Sequence, residues 1–226
     1  MFSWLHASMR ALGLALAVAL AVALPAVEAA AQNTFNRDCL PPGGSTYLGQ
    51  FHAKYADGTN VYDLTQPQHT KFANCDPPPP PVPGPCSDHT MGSFVFAQLS
   101  KNGAPPSSVG GAATMRVMVC GNHQTGPTRY YDTEMLQLDL NGGCALMVRE
   151  SPTLQSTGKT AITDLGGGQF KIDSFFDIFT ELSTDCGQTW HPSTNAAGNP
   201  YAGHMEIPGT VAVDPARWSN VKVLYR

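Results

Sequence analysis

From residue 86 onward the chain is a succession of short strand-like segments separated by turns. Apolar and polar residues alternate along SFVFAQLS, ATMRVMVC and EMLQLDL, and glycine-rich turns such as Asn141-Gly142-Gly143 and Gly166-Gly167-Gly168 follow such segments. Alternation with a period of two places every second side chain on one face of a sheet, and this pattern is typical of a sandwich or a closed sheet. After residue 30 only residues 212–220 are compatible with a short helix. The sequence therefore predicts an all-β fold, which we expect to be an antiparallel β-sandwich.

Residues 1–31 have the layout of a secretory signal. A positive charge at Arg10 precedes an apolar run over residues 11–24, and small residues follow Pro25 at residues 29–31. The apolar run is shorter than the ~20 residues that a transmembrane helix requires, which favours a cleaved signal over a membrane anchor. We therefore expect a secreted or periplasmic protein with no membrane span in the mature chain.

The low charge of the chain argues against nucleic acid as a partner. Only 13% of the residues are charged, the formal net charge is −4, and the basic residues are not clustered. Nucleic-acid binding requires a concentrated basic face. Metal and nucleophile motifs are missing as well, because no histidine has H-x-H or H-E-x-x-H spacing and no G-x-S-x-G occurs. We therefore expect no metal, no cofactor and no catalytic residue that a motif identifies.

Six cysteines follow the signal segment and predict a disulfide-stapled fold. An even number of cysteines in an exported chain favours disulfides, although six cysteines allow 15 pairings. The segment DPPPPPVPGP lies between Cys75 and Cys86. Polyproline II geometry would hold these two cysteines about 30 Å apart, too far for a disulfide, unless Gly84 folds the segment back. We expect Cys39 to pair with Cys75, with a bond between Cys120 and Cys144 as a further hypothesis. The six disulfide candidates are Cys39, Cys75, Cys86, Cys120, Cys144 and Cys186.

The proline-rich insert also divides the mature chain. Residues 76–85 form a polyproline linker between a small N-terminal β segment, residues 32–75, and a main β-sandwich domain, residues 86–226. Within the N-terminal segment, TYLGQFHAKY and NVYDL flank an Asp-Gly pair that predicts a hairpin. This segment is too short to hold a core alone, so we expect it to pack onto the larger part or to be held by Cys39.

The longest strand candidate, QFKIDSFFDIFTEL, carries acids and aromatic rings on one face. Its other face is mostly apolar and is expected to point into the core. Two phenylalanines on an acidic face are unusual unless another layer covers them or they bind a ligand. We take these two rings and two further aromatic residues as hypothetical binding residues. They are Phe175, Phe179, Trp190 and Tyr201.

The acids on this strand are Asp173, Asp177 and Glu181. Neighbours in the row are about 13 Å apart along the strand, whereas paired glycosidase carboxylates lie roughly 5–10 Å apart. A catalytic pair would therefore need a carboxylate from another strand. The candidates for that role are Asp132, Glu134 and Asp139. An ion-paired surface, with Lys171 or Arg149 nearby, is the interpretation we favour.

The stretch STDCGQTW, residues 183–190, predicts a turn. Its pattern resembles the Asp-box of sialidases and other propeller proteins, in which Asp and Ser side chains bond backbone amides and Gly takes a positive φ. A propeller requires repeats, and only one copy is present. We therefore expect a structural turn and not a glycan-active site. The matching residues are Ser183, Asp185, Gly187, Thr189 and Trp190.

Three longer stretches, YYDTEMLQLDL, RESPTLQSTG and SFFDIFTELSTDCGQTW, follow one another between residues 130 and 190. They resemble the motifs DTEMLxLDL, RESPTxxSxG and SFFDVFTELSxDGGxTW of a group of exported bacterial proteins of unknown function, many of which carry a PEP-CTERM sorting tail. This sequence shows no such tail, has Cys186 where that group has Gly, and carries the proline insert. The resemblance implies an exported β-rich protein and supplies neither an activity nor catalytic residues.

Three classes of function are compatible with these observations. The leading hypothesis is an exported, non-catalytic structural or cell-surface-associated β protein. The alternatives are a carbohydrate- or matrix-binding module and a hydrolase with cross-strand carboxylates. The partners we expect are extracellular polysaccharide or further copies of the chain.

Overall fold

The computed structural model describes residues 33–49, 52–144 and 146–208. The predicted signal segment, the residues 212–220 that are compatible with a short helix, and a further strand candidate, NVKVLY at residues 220–225, lie outside these residues. The described residues contain no α-helix, and every strand pairing is antiparallel, which confirms the all-β prediction. The strands are β1 Thr34–Phe35, β2 Thr46–Gly49, β3 His52–Ala56, β4 Val61–Thr70, β5 Cys86–Lys101, β6 Ser107–Thr125, β7 Thr128–Asn141, β8 Met147–Glu150, β9 Ser156–Gly166, β10 Gln169–Ser183, β11 His191–Pro192 and β12 Ala202–Glu206.

The strand pairing closes into a ring. Neighbouring strands follow the order β10-β12-β2-β4-β5-β6-β7. Strands β8 and β9 each pair with both β7 and β10, so hydrogen bonding returns to the strand at which the order began. The described strands thus form one sheet and not the two separately hydrogen-bonded sheets of a sandwich. The prediction of a sandwich is therefore not confirmed.

The core fills the inside of this ring. On β10 the apolar face of the alternation is the buried one, and Ile172, Ile178 and Leu182 are each at most 4% exposed. Facing strands contribute Tyr131, Met135 and Val119, which are equally buried. Alternate side chains of a sheet point to opposite faces, so the residues between these lie on the outside of the ring.

The N-terminal strands belong to the same sheet. Strand β2 pairs with β12 and β4, and β4 pairs with β5 over most of its length. The β3–β4 hairpin turns at Asp57, whose carboxylate accepts hydrogen bonds from the backbone N–H groups of Thr59 and Asn60 at 2.9 and 2.6 Å. The proline-rich segment returns to the sheet as well, since the N–H of Gly121 donates to the Pro85 carbonyl at 3.0 Å.

All six cysteines are paired. The bond between Cys39 and Cys75 confirms the first predicted pairing. The other two bonds join Cys86 to Cys120 and Cys144 to Cys186, so the Cys120–Cys144 hypothesis is wrong. The reason is the sheet register, which places Cys86 directly opposite Cys120 on β5 and β6 with 4.1 Å between their Cα atoms. Three disulfides fit an oxidising compartment. No helix formed by the described residues is long and apolar enough to cross a membrane.

Candidate functional site

The four aromatic residues predicted to bind a ligand do not form one surface. Phe175 and Phe179 lie half-buried on the outer face of β10. The Phe175 ring centre is 5.2 Å from that of His204 on β12. Tyr201, in contrast, packs against the core. Trp190 lies under the Arg149 guanidinium, whose central carbon is 4.2 Å from the ring centre.

The segment around Trp190 is held by side-chain hydrogen bonds to the backbone. The Asp185 carboxylate accepts from the N–H groups of Gln188 and Thr189 at 3.1 and 2.9 Å, and from the Thr189 hydroxyl at 2.6 Å. The hydrogen bonds from Thr189 hold the pKa of Asp185 at about 2, below its usual range. The Ser183 hydroxyl accepts from the Gly187 N–H at 2.9 Å, and the indole N–H of Trp190 donates to the Gly187 carbonyl at 3.0 Å. The polar side chains of residues 183–190 are thus hydrogen-bonded to the backbone of the same segment and hold its turn in place.

Each acid of the β10 row has a cationic or ionisable neighbour. Lys171 Nζ lies 2.8 Å from Asp173, and Arg149 donates two hydrogen bonds to Glu181 at 2.9 and 2.7 Å. Asp177 contacts the Nδ1 of His204 at 2.8 Å, and Glu206 lies 3.7 Å from the other ring nitrogen. The hydrogen bond to Asp177 raises the pKa of His204. This arrangement is that of an ion-paired outer face.

One carboxylate has a perturbed pKa that the sequence analysis missed. Burial raises the pKa of Glu150 to about 6, and the charges of nearby Glu134, Glu181 and Asp139 act in the same direction. A hydrogen bond from the fully buried Ser156 hydroxyl, at 2.9 Å, opposes this shift. Glu150 lies where β8 ends and the chain leaves the sheet before β9, a break that alternation does not reveal.

Two small cavities lie inside the ring that the described strands form. One, of about 20 Å³, and the other, of about 40 Å³, are both lined mainly by apolar side chains, although His69, Thr133 and Ser174 also line the first. Burial lowers the pKa of His69 to about 4. Binding pockets for small molecules usually measure ~300–1,000 Å³, whereas ~10–15 Å³ suffices for a water molecule. No group of three or more potential metal ligands occurs in the described ranges. These cavities are too small for a sugar ring.

A different aromatic pair is exposed on the outside of β5. Phe94 and Phe96 are 38% and 40% exposed, and their rings stack with centres 6.2 Å apart at an interplanar angle of 14°. Each phenylalanine has small or polar neighbours across the sheet. Phe94 lies between Thr70 and Ala112, and Phe96 lies between Gln68 and Gly110. We call Phe94, Phe96, Gln68, Thr70 and Lys71 the Phe94–Phe96 surface.

Lys71 completes this surface. Its ammonium nitrogen lies 5.1 Å from the ring centre of Phe94 and 5.8 Å from that of Phe96. The Lys71 backbone has a φ of 55°, in the left-handed region that non-glycine residues rarely adopt. The sequence did not predict this surface. Phe94, Val95, Phe96 and Ala97 are all apolar, so alternation does not indicate which face of β5 points to the solvent.

Comparison of the chain with family models, with curated proteins and with solved structures finds no match in any of the three. The geometry of the described residues is therefore the basis for a functional conclusion.

Proposed function

We propose that this protein is an exported, non-catalytic, cell-surface- or matrix-associated module that binds polysaccharide through the Phe94–Phe96 surface. The observation that carries the proposal is the stacked pair of phenylalanine rings, each about two-fifths exposed, on the outer face of a sheet. Adjacent exposed aromatic rings are an apolar feature of the kind that interaction sites use.

The chemistry of the surface suits a sugar polymer. The C–H groups on one face of a pyranose ring are apolar and pack on an aromatic ring, while its hydroxyls need hydrogen-bonding partners beside that ring. Gln68 is the register partner of Phe96 and supplies such a partner at the edge of the ring pair, whereas the Thr70 hydroxyl beside Phe94 already contacts the Thr46 hydroxyl and the Ser45 carbonyl. An exposed outer sheet face can accept a long chain, whereas a small ligand requires an enclosed pocket.

Export is part of the same proposal. The signal-like residues 1–31 and the three disulfides are the features that support it. A protein placed outside the cytoplasm meets envelope and matrix polysaccharides, which are the polymers that the proposed surface would bind.

Self-association by strand pairing is less well supported by the geometry. In an open sheet, the edge strands offer unpaired backbone N–H and C=O groups to another copy. In this ring the pairing continues from β10 round to β8 and β9 and back to β10. A ring of this kind has no pair of long free edges, so contacts between copies would have to use outer side chains.

The hydrolase alternative depends on Glu150. A carboxyl group with a pKa of about 6, near a second carboxylate such as Glu134, is a combination that acid catalysis uses. Glu150, however, lies at the end of β8 and not in either cavity. Release of reducing sugar from soluble polysaccharides by the wild type, and its loss in a Glu150→Gln variant, would favour this alternative over simple binding.

The experiment that tests the proposal is retention of the secreted, oxidised protein on insoluble polysaccharides, peptidoglycan and cell envelopes. Phe94→Thr/Phe96→Thr is the main variant, because threonine is favoured in strands and removes both rings. With ~80 Å² exposed per ring, burial of the pair contributes at most ~4 kcal/mol, and we expect a loss of about tenfold in affinity if roughly a third of this contribution is realised.

A Phe175→Thr/Phe179→Thr variant is the matched control, since it removes two half-buried rings from the outer face of β10. We expect it to be retained like the wild type, provided that thermal unfolding shows both variants to be folded. Equal retention of the wild type and the Phe94→Thr/Phe96→Thr variant would refute the proposed surface. Loss of retention only in the Phe175→Thr/Phe179→Thr variant would place binding on β10 instead.

A further inference from the structure

We propose that the Phe94–Phe96 surface selects an anionic polysaccharide, one that carries uronate carboxylates, and that Lys71 is the residue that makes this selection. The inference rests on the proposed function, because it names the class of polymer that the same surface would bind. Neutral polymers would then bind through the rings alone, and acidic polymers through the rings and the ammonium group together.

The first observation is the environment of the Lys71 ammonium group. It lies over two exposed rings and, in the described part of the chain, within 4.0 Å of no carboxylate. Lys101 also lies over a ring, but that ring belongs to Tyr62, which is 7% exposed and belongs to the core. Other described lysines have carboxylate partners at 2.8–4.0 Å; these are Lys54, Lys159 and Lys171. Lys71 thus places a cation over two rings that, with Lys71 in this position, still leave their residues 38% and 40% exposed.

The second observation is the backbone of Lys71. A residue with a side chain in the left-handed region costs roughly 1–2 kcal/mol, and glycine or asparagine would suit a φ of 55° better. A left-handed residue at the end of β4 turns the chain away from the strand. This role does not require a charged side chain. With Lys71 in this conformation, the long side chain lies over β5, where the rings are.

The third observation is the charge of the whole chain. The net charge of −4 disfavours anionic polymers in general, so non-specific attraction does not account for binding one. A single cation placed where a sugar ring stacks is different, because a charge-assisted hydrogen bond to a uronate carboxylate acts at short range. The rings fix the position of the sugar, and the ammonium group then distinguishes a carboxylate from an uncharged ester.

The test compares two polymers that share one backbone and differ at the C6 carboxyl group, namely polygalacturonate and its uncharged, fully methyl-esterified form, by affinity electrophoresis and by calorimetry. We expect the wild type to bind the charged polymer about five- to tenfold more tightly, and this preference to shrink at high salt. A Lys71→Met variant should bind both polymers equally, at the level of the wild type with the ester. A Lys71→Arg variant should keep the preference.

A Lys71→Asn variant separates binding from a purely structural role. Asparagine tolerates the left-handed backbone, so the variant should unfold at an equal or higher temperature than the wild type while losing the preference for the charged polymer. If Lys71 only stabilised the fold, the variant would lose stability and keep the preference.

The outcomes that overturn the inference differ from those that overturn the proposed function. Equal binding of both polymers by the wild type, or a preference that survives in Lys71→Met, overturns the selection of charge alone. If the wild type binds neither polymer but is retained on a neutral matrix through Phe94 and Phe96, the selection of charge is also overturned, while the proposed function stands. Retention on no matrix at all overturns both. A dimer in solution that Phe94→Thr/Phe96→Thr converts to a monomer would assign the surface to a second copy of the chain.

Discussion

Ile178 is the residue whose truncation tests the closed interior most directly. It points inward from β10, is 4% exposed, and lines both the cavity of about 20 Å³ and that of about 40 Å³. Ile178→Ala removes three carbons, whose transfer from water accounts for ~2.4 kcal/mol at ~0.8 kcal/mol each. The variant also joins the two cavities, and β10 is hydrogen-bonded to neighbours on both sides and cannot easily move inward to fill the space.

The cost of such a substitution depends on how far the site collapses, so we expect a loss of ~4 kcal/mol, in the upper part of the ~2–5 kcal/mol range. Urea unfolding measured with the disulfides intact gives this value directly. The joined cavity should also bind a small apolar probe. Saturating benzene is therefore expected to raise the unfolding temperature of Ile178→Ala and not that of the wild type.

Ile172→Ala is the matched control. Ile172 lies on the same face of β10, is fully buried, and lines neither cavity. The same three carbons are removed, so a loss of stability without stabilisation by benzene is expected. A loss below ~1 kcal/mol for Ile178→Ala, or equal stabilisation of both variants by benzene, would refute a closed interior with two cavities that meet at Ile178.

Three further predictions concern charge and covalent cross-links. The raised pKa of His204 means that its contact with Asp177 stabilises the fold below pH ~6.5 and that this stability is lost as the pH rises through the folded-state pKa. His204→Asn should abolish this change, of ~0.2–1 kcal/mol, in urea midpoints measured between pH 5.5 and 9. Glu150 has a folded-state pKa of about 6, above its ordinary value, so its ionisation lowers stability as the pH rises through 6. Glu150→Gln should therefore be more stable than the wild type at pH 8, by at most ~1 kcal/mol, and no more stable at pH 4; equal differences at both pH values would contradict this. Cys144→Ser/Cys186→Ser should lose ~2–4 kcal/mol in the same assay, and an unchanged midpoint would show that the bond does not restrain the unfolded chain.

Alternation in the sequence predicted the longer strands and their buried faces, but TYLGQFHAKY, expected as one strand candidate, contains the separate strands β2 and β3. On β10 it identified Ile172, Phe176 and Ile178 as inward residues, since the period of a strand is fixed by its backbone. It did not predict closure, because the partners of a strand depend on residues far away in the chain. The Cys86–Cys120 bond illustrates this limit, since it follows from the β5–β6 register and not from the spacing of the cysteines.

The candidate site was less predictable for the same reason. Phe175 and Phe179 were predicted as binding residues because they share a strand face with acids. In the structure, however, Phe94 and Phe96 have the larger exposed fractions. Exposure of Phe96 depends on Gln68 and Gly110, its register partners on β4 and β6. A Cβ built on Gly110 would approach Phe96 Cδ1 to 2.8 Å, so glycine is what allows the ring to lie against β6. Neither neighbour is adjacent to Phe96 in sequence.

The irregular backbone of β4 connects the fold to this surface. The register of β4 against β5 shifts between Thr65 and Gln68, where Gln66 has a φ of 49° and Pro67 turns inward. This bulge directs Gln68 outward opposite Phe96, and the second left-handed residue, Lys71, ends the strand over the rings. Bulges and left-handed non-glycine residues cost stability, and they occur at sheet edges and barrel rims as well as beside functional sites. The bulge also lies where β4 changes its partner on that side from β3, which pairs as far as Thr65, to β2, which pairs from Gln68, so the sheet itself accounts for the bulge and the position of Gln68 beside the ring pair follows from this change of partner.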